Sequence, residues 1–396
     1  MLNGLRVVEM ATYVAAPAAG GILADWGADV IKVESPRGDP IRHFFAGTKA
    51  EDMGNPVFDL DNRGKRGVAL DIKTPEGAAA MKALLLKADI FITNLRPGAL
   101  ARAGLDYETL KAENPGLIYG SVTGYGLEGA EADRPAMDMA AFWARSGMAM
   151  LTTRKGEPPL PMRIAVGDHT TGIALVAGIL AAIHERGQTG KGRLVETSLL
   201  RTGIYSLGTD LSIQQRIGRV SSTKDRTEAA DPLTNVYPTK DGRWVMMLTR
   251  QGADDFAGYL RALGLDPAYL EDERFKSRRD RMKNRTAVVE LLDQGFQALT
   301  LAEVMPRLDD EDLIYAPVQS PADVMEDPQA RAAGSFTTIP ADAGTQASIA
   351  TPVRFHGAGG ETDPRGPAPT IGQHTEQVLA ELELDPKLIS AIVTKA

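Results

Sequence analysis

Residues 5–34 read LRVVEMATYVAAPAAGGILADWGADVIKVE. The flanking runs "LRVVEM" and "ADVIKVE" are short and almost continuously apolar, the pattern of strands buried on both faces as in parallel sheets. Between them, Pro17 to Trp26 supplies small and apolar residues suited to a helix lying on such a sheet. Strand, helix, strand in succession defines an α/β layer. Three further runs, "RGVALDI", "ADIFIT" and "GLIYGSV", repeat the strand pattern. The segment "TPEGAAAMKALLLKAD" supplies another helix, with Thr74 placed to cap it and Pro75 at its first position. The predicted fold class is therefore α/β. Ligands of such sheets bind beyond the carboxyl ends of the strands, so functional residues are sought in the loops that follow these runs.

Composition narrows the function classes. A chain of 396 residues implies a large domain with a smaller one, or two comparable ones. Hydrophobic residues make up 43% and charged residues 24%, which suits an ordinary globular core. The net charge of −8 argues against non-specific attraction to nucleic acid or acidic membranes, so an anionic ligand needs a local basic pocket. With no cysteine, disulfides, thiolate metal sites and a cysteine nucleophile are excluded. The five histidines, His43, His169, His184, His356 and His374, lack metal-ligand spacing, and no metal is expected. No run reaches the roughly 18 uninterrupted apolar residues of a membrane span. Glu9 and Asp25 interrupt the apolar N-terminal stretch, which reads as folded protein and not as a signal peptide. The expected location is the cytoplasm.

Farther along, the stretch from Gly167 through His184 reads as an apolar helix stopped by Gly187, and "SLLRTGIYSLGTDLSIQQRIG" as another. Residues 220–231, "VSSTKDRTEAAD", are polar and aperiodic, as in a linker or mobile loop. "NVYPTKDGRWVMML" predicts a hairpin with Asp241-Gly242 in its turn, and helical patterns dominate from Gly252 to about Leu308. "TPVRFHG" reads as a strand and "GQHTEQVLAEL" as a helix that returns to the large domain. The expected division is 1–219 with 321–396 as a discontinuous large domain, and 220–320 as linker and small α/β domain.

Several residues invite a chemical reading. Asp168, in "RIAVGDHTTGIALVAGIL", stands where a helix begins, so it suits an N-cap. The same position favours an ionised carboxylate able to act as a nucleophile, and both readings stay open here. His169 is its neighbour, but consecutive helical residues point apart, so a catalytic Asp-His pair is not implied. "ATYVAAPAAGG" matches neither a dinucleotide fingerprint nor a phosphate loop. Its Ala15 and Ala16 either let a flat ligand approach a helix start or let that helix pack closely on the sheet. Asn94, Arg96 and Arg102 follow the fourth strand run, and Arg37, Arg42 and Lys73 follow others, so several loops offer cations to one polyanion.

Together these motifs resemble class III CoA-transferases. The resemblance runs over nearly the whole chain, through "LNGLRVVEMATYVAAPAAGGILADWGADVIKVESPRGDPIR", "NRGKRGVALDIKTPEG", "ADIFITNLRPGALARAGLDYETL", "YGSVTGYG", "GDHTTG", "NVYPTKDGRW" and "GQHTEQVL". It implies a Rossmann-like discontinuous large domain, a smaller α/β domain and two protomers interlocked as rings in a homodimer. It implies coenzyme A, carried as acyl-CoA, as co-substrate beside a small carboxylic acid. By matching motif, Asp168 is the expected nucleophile. The expected CoA contacts are Val14, Ala15, Ala16, Leu70, Asn94, Leu95, Arg96 and Arg102, with Arg37 and Lys73 as phosphate partners. Asp138 matches an acidic position near the family's active site. No glycine run of the kind that closes the site in some relatives is present, and "VSSTKDRTEAAD" occupies that region.

The implied reaction moves CoA from an acyl-CoA to an acid through an aspartyl-CoA thioester on Asp168. The segments "RPAMDMAAFWARSG" and "GDHTTG" look closest to the branch acting on 2-hydroxy acids. The competing reading within the superfamily is α-methylacyl-CoA racemase, which uses a histidine and an aspartate as its acid/base pair. Where racemases carry that histidine, this chain has Met137. A non-catalytic CoA-binding protein is a third reading.

Overall fold

The computed structural model describes residues 1–50, 54–250, 254–341, 344–357 and 364–394. The five apolar runs form strands β1 (Arg6–Met10), β2 (Asp29–Glu34), β3 (Arg66–Ala69), β4 (Ile90–Thr93) and β5 (Ile118–Thr123), and Leu194–Ser198 adds β6. All pair in parallel, in the order β3-β2-β1-β4-β5-β6. The chain thus runs outward in one direction from β1 and then in the other from β4. The crevice between β1 and β4 is the topological switch point, where open α/β sheets bind ligands.

Helices cover both faces. In order they are α1 (Ala15–Asp25), α2 (Pro56–Asn62), α3 (Pro75–Leu86), α4 (Pro97–Arg102), α5 (Tyr107–Glu113), α6 (Met148–Leu151), α7 (Val166–Thr189), α8 (Leu199–Ser206) and α9 (Gly208–Ile217). On one face, Val8, Ile31 and Val68 pack with Met81, Leu84 and Leu85 of α3; on the other, Val7, Ile92 and Val122 pack with α1 and α7. Each such buried aliphatic side chain contributes about 1.5–3 kcal/mol. Helix α7 is long and apolar enough, by length and composition, to cross a membrane. Leu175, Val176, Ile179 and Ala182 place its buried stripe in the core with α1. A Cβ on Gly172 would lie 2.8 Å from the Ala15 carbonyl oxygen, so this glycine lets α1 and α7 touch.

The chain divides into two compact units, one of Met1–Thr152, Pro159–Val220 and Arg331–Ala396, the other of Thr153–Pro158 and Ser221–Ala330. In the second, β7 (Asn235–Pro238), β8 (Trp244–Leu248) and β9 (Ile314–Pro317) form an antiparallel sheet, and Gly242 takes the left-handed turn position (φ 74°). Helices α10 (Phe256–Leu263), α11 (Arg278–Lys283), α12 (Arg285–Gln297) and α13 (Leu301–Asp310) pack with that sheet around Tyr237, Phe256 and Phe296, and the short α14 (Pro321–Glu326) and α15 (Pro328–Ala332) follow. The polar stretch 220–231 is pinned within this unit, where Arg226 pairs with Asp293 and Asn235 holds the Arg226 carbonyl at 2.8 Å.

The returning C-terminal segment of the first unit forms the hairpin β10 (Phe336–Ala341) and β11 (Gly344–Ile349), then α16 (Thr375–Glu381) and α17 (Pro386–Val393). It caps the edge strand β3: the Gly67 N–H donates to His374 Nδ1 at 3.0 Å and the Ala69 N–H to Thr375 Oγ1 at 3.0 Å. An edge so covered offers no template for pairing with another chain.

Three local expectations are corrected. Helix α7 runs through Gly187 and ends at Gly190, whose left-handed backbone (φ 70°) closes it; a lone internal glycine costs a helix only about 1 kcal/mol, too little to stop this one. The "SLLRTGIYSLGTDLSIQQRIG" segment is two helices, broken at Leu207. "TPVRFHG" is not a strand; its β-branched residues find no ladder to join.

Candidate active site

A cleft of about 380 Å³ opens at the switch point. Its walls come from the loop after β1 (Thr12, Tyr13), the start of α1 (Ala15), the loop after β4 (Asn94, Leu95, Arg96, Pro97), the end of β5 (Val122, Thr123), residues 132–137, Leu199 and Asp168. The sheet therefore gathers into one cavity residues more than 150 positions apart in sequence.

Asp168 is the third residue of α7. The cap is Ala165, which enters the helix in the left-handed conformation (φ 68°) and makes no side-chain cap bond. That conformation costs an alanine about 1–2 kcal/mol. The capping reading of Asp168 is thus overturned, since among the described residues its carboxylate accepts no hydrogen bond and is left to the cleft. Its pKa is pushed up to about 7 by burial, with the Asp138 charge and, more weakly, Asp61 adding to the rise while His169 opposes it. A carboxyl group poised at neutral pH is a stronger base when ionised than an ordinary surface aspartate.

His169 points to other partners. Its Nε2 lies 3.2 Å from Oδ1 of the buried Asp61 on α2, and that hydrogen bond raises the imidazole pKa. On the other side, Asp138 begins a π-helical turn over Met139–Ala144 and accepts the Met139 N–H at 2.7 Å. Such turns recur at functional sites. A Cβ on Gly167 would stand 2.6 Å from Phe142 in this turn, so only glycine lets the turn seat against the start of α7.

The loop after β1 is held from beneath by a buried ionic network. Lys32 joins Glu9 (3.2 Å) and Asp39 (3.0 Å), Lys65 joins Glu9 (2.6 Å), and Asp39 accepts the N–H of Tyr13 at 3.0 Å. Tyr13 itself is left-handed (φ 62°). Two strained non-glycine residues thus serve this site, Tyr13 on its wall and Ala165 at the entry to the helix that carries Asp168. Asn94 clamps the same loop, accepting the Thr12 N–H at 3.0 Å and donating to its carbonyl at 2.6 Å. Its amide is engaged with the backbone and not offered to a base edge.

Of the sequence-predicted contacts, Ala15, Asn94, Leu95, Arg96 and Asp168 line the cleft. Val14 and Ala16 flank Ala15 but are buried in the core, as is Leu70. Asp138 is buried beside Met137 of the wall. Arg37, Lys73 and Arg102 are exposed on the loops after β2 and β3 and on α4, at the carboxyl edge of the sheet. None of Arg37, Lys73, Arg96 and Arg102 makes an ion pair among the described residues. Arg42, by contrast, is committed to Glu34 at 2.6 Å and lies 3.8 Å over the Phe58 ring, so it is structural. Sequence reading missed Tyr13, Arg134, Asp61 and the buried network. Of this cluster, Glu9 and Lys32 were visible only as charges within strand runs, and Lys65 lies just before one.

Comparison with known proteins agrees with this geometry. The sequence profile of CoA-transferase family III matches residues 2–375. The chain is 36% identical to the (R)-2-hydroxy-4-methylpentanoate CoA-transferase of Clostridioides difficile, covering 98% of this chain and 97% of that protein. It is 33% identical to the cinnamoyl-CoA:phenyllactate CoA-transferase of Clostridium sporogenes, covering 96% and 93%. A crystal structure of a CAIB/BAIF family protein from Brucella suis superposes with a TM-score of 0.84 at 31% identity, covering 96% of this chain and 99% of that one. The fold and these relatives together define an α/β transferase that uses acyl-CoA. The chain belongs to CoA-transferase family III and transfers CoA between an acyl-CoA donor and a carboxylic acid. The racemase reading gains nothing from these relatives.

Proposed function

We propose that Asp168 is the nucleophile of this transfer and that the acceptor is a 2-hydroxy acid. The observation that carries the proposal is a carboxylate on the wall of the switch-point cleft that accepts no hydrogen bond among the described residues, its pKa raised to about 7. The ionised oxygen attacks the donor thioester carbonyl, the carbon–sulfur bond breaks, and an aspartyl acyl anhydride and CoA thiolate result. The thiolate attacks the aspartyl carbonyl, the donor acid leaves, and Asp168 carries CoA as a thioester. The acceptor acid reverses these two steps. The positive end of α7 stabilises the oxyanion that forms at each attack.

The CoA phosphates fall to Arg37, Lys73, Arg96 and Arg102, cations that pair with no carboxylate among the described residues. Ala15 and Leu95 offer apolar contact at the cleft wall, while Val14, Ala16 and Leu70 pack behind it and Asn94 holds the loop in place. The 2-hydroxy acid preference rests on two relatives whose names specify such acids, 2-hydroxy-4-methylpentanoate and phenyllactate. The active form is proposed as a homodimer. Helix α9 buries none of its side chains, and Ile204, Tyr205, Ile213 and Ile217 leave an apolar face on α8 and α9 that a second copy would cover.

Steady-state kinetics with a panel of acceptors test this reading. Parallel double-reciprocal lines and a kcat/KM highest for 2-hydroxy-4-methylpentanoate or phenyllactate are expected. Intersecting lines, or a preference for dicarboxylates, would refute the corresponding half.

A further inference from the structure

Asp138 has a use that a helix cap does not explain. One carboxylate oxygen accepts the Met139 N–H, but the other, Oδ2, is buried with no hydrogen-bond partner among the described residues. An unpaired buried carboxylate oxygen costs several kcal/mol and needs a compensating reason. Neutral alternatives such as asparagine would cap the π-helical turn equally well. The seat is also rigid, because Gly167 lets Phe142 of the same turn pack against the residue before Asp168.

We propose that Asp138 is a positioning residue that drives acylation of Asp168 by like-charge repulsion. The step rests on Asp168 being the nucleophile, as proposed above. Before reaction, the Asp138 charge acts on Asp168 from the turn that packs against Gly167. When Asp168 attacks the thioester, its charge passes to the CoA sulfur, and when the thiolate displaces the donor acid, the charge leaves with that acid. Asp168 is then neutral, as the aspartyl-CoA thioester, and the repulsion is gone. The free carboxylate is therefore raised in energy relative to the thioester, which favours both the attack and the loaded state. The other groups acting on Asp168 are His169 on its own helix, which opposes the effect, and Asp61 on α2, which adds to it weakly. Arg96 and Arg134 also line the cleft, and Arg134 is paired with Glu131.

The test loads wild type, Asp138→Asn and Asp138→Glu with a fixed ratio of acyl-CoA to its free acid across a pH series. The fraction carrying CoA on the Asp168 peptide is read by mass spectrometry. Asparagine keeps the cap and removes the charge. It is expected to lower the loading equilibrium about tenfold and to move the acid limb of the loading curve down by about one pH unit. Glutamate, which restores the charge, is expected to recover most of the loading. If Asp138→Asn loads like wild type with an unmoved acid limb, the inference is wrong while the nucleophile reading stands. If wild type carries no CoA on Asp168 with any donor, both fall. Should the asparagine variant fail to fold, Asp138→Ser, which keeps a capping oxygen without the charge, takes its place: repulsion predicts lowered loading with the acid limb moved down, and a wild-type loading curve would overturn the inference.

Discussion

Asp168 sets two opposite pH dependences. With its pKa at about 7, the attacking ion is depleted as pH falls, so kcat/KM for acyl-CoA should drop through an acid limb near 7, read from pH–rate profiles. Stability runs the other way. The folded pKa lies above the ordinary 3.8, so the folded state binds the extra proton, and stability declines as pH rises from about 4 to about 7. Asp168→Asn should therefore abolish transfer yet raise unfolding stability above neutral pH by about 2 kcal/mol in urea titrations, the cleft's partial solvation holding the figure down. At this scale the sequence was half legible. The Gly-Asp step before an apolar helix marked Asp168, but its place in the first turn depends on Ala165 adopting a left-handed backbone, for which alanine carries no signal. The Asp61–His169 contact spans 108 positions and is set by packing of α2, α1 and α7, which no local pattern encodes.

Among the elements, the loop after β1 depends on its clamp. Asn94→Ala removes both bonds to Thr12, and KM for acyl-CoA should rise about tenfold with kcat much less changed, which initial-rate kinetics would separate. Gly167→Ala should do the reverse. A methyl group 2.6 Å from Phe142 pushes the π-helical turn off α7, so kcat should fall at least about tenfold and the thermal midpoint should drop by several degrees, corresponding to about 1–3 kcal/mol. Strands β1 to β5 were readable because they are buried on both faces and so are continuously apolar. Strand β6, with Glu196 and partly exposed Leu194 and Val195, lacks that signature, and the exposed hairpin of β10 and β11 is rich in threonine and small residues. "TPVRFHG" misled for the converse reason: it has strand composition but no neighbouring backbone to bond.

Across the whole molecule, a net charge of −8 contrasts with Arg37, Lys73, Arg96 and Arg102 at the carboxyl edge of the sheet, cations without an ion pair among the described residues. Replacing Arg96 or Arg102 by alanine should raise KM for acyl-CoA by about three- to tenfold, and raising ionic strength should shrink that penalty. The apolar face of α8 and α9 leads to a second expectation: sedimentation should show twice the mass of one chain, and charged substitutions at Tyr205 and Ile217 should weaken the assembly. The α/β class and a site beyond the carboxyl ends of the strands followed from the strand runs; of the cleft's lining, Ala15, Asn94, Leu95, Arg96 and Asp168 were named by motif, and the rest come from segments that carry no local pattern. The most direct test of transfer through Asp168 follows oxygen. A single turnover with acceptor acid bearing heavy oxygen in its carboxylate should leave one labelled oxygen in the Asp168 side chain, found by mass spectrometry of its peptide, while one unlabelled oxygen leaves in the released donor acid. Turnover without label in Asp168, or with label at another residue, would contradict the mechanism.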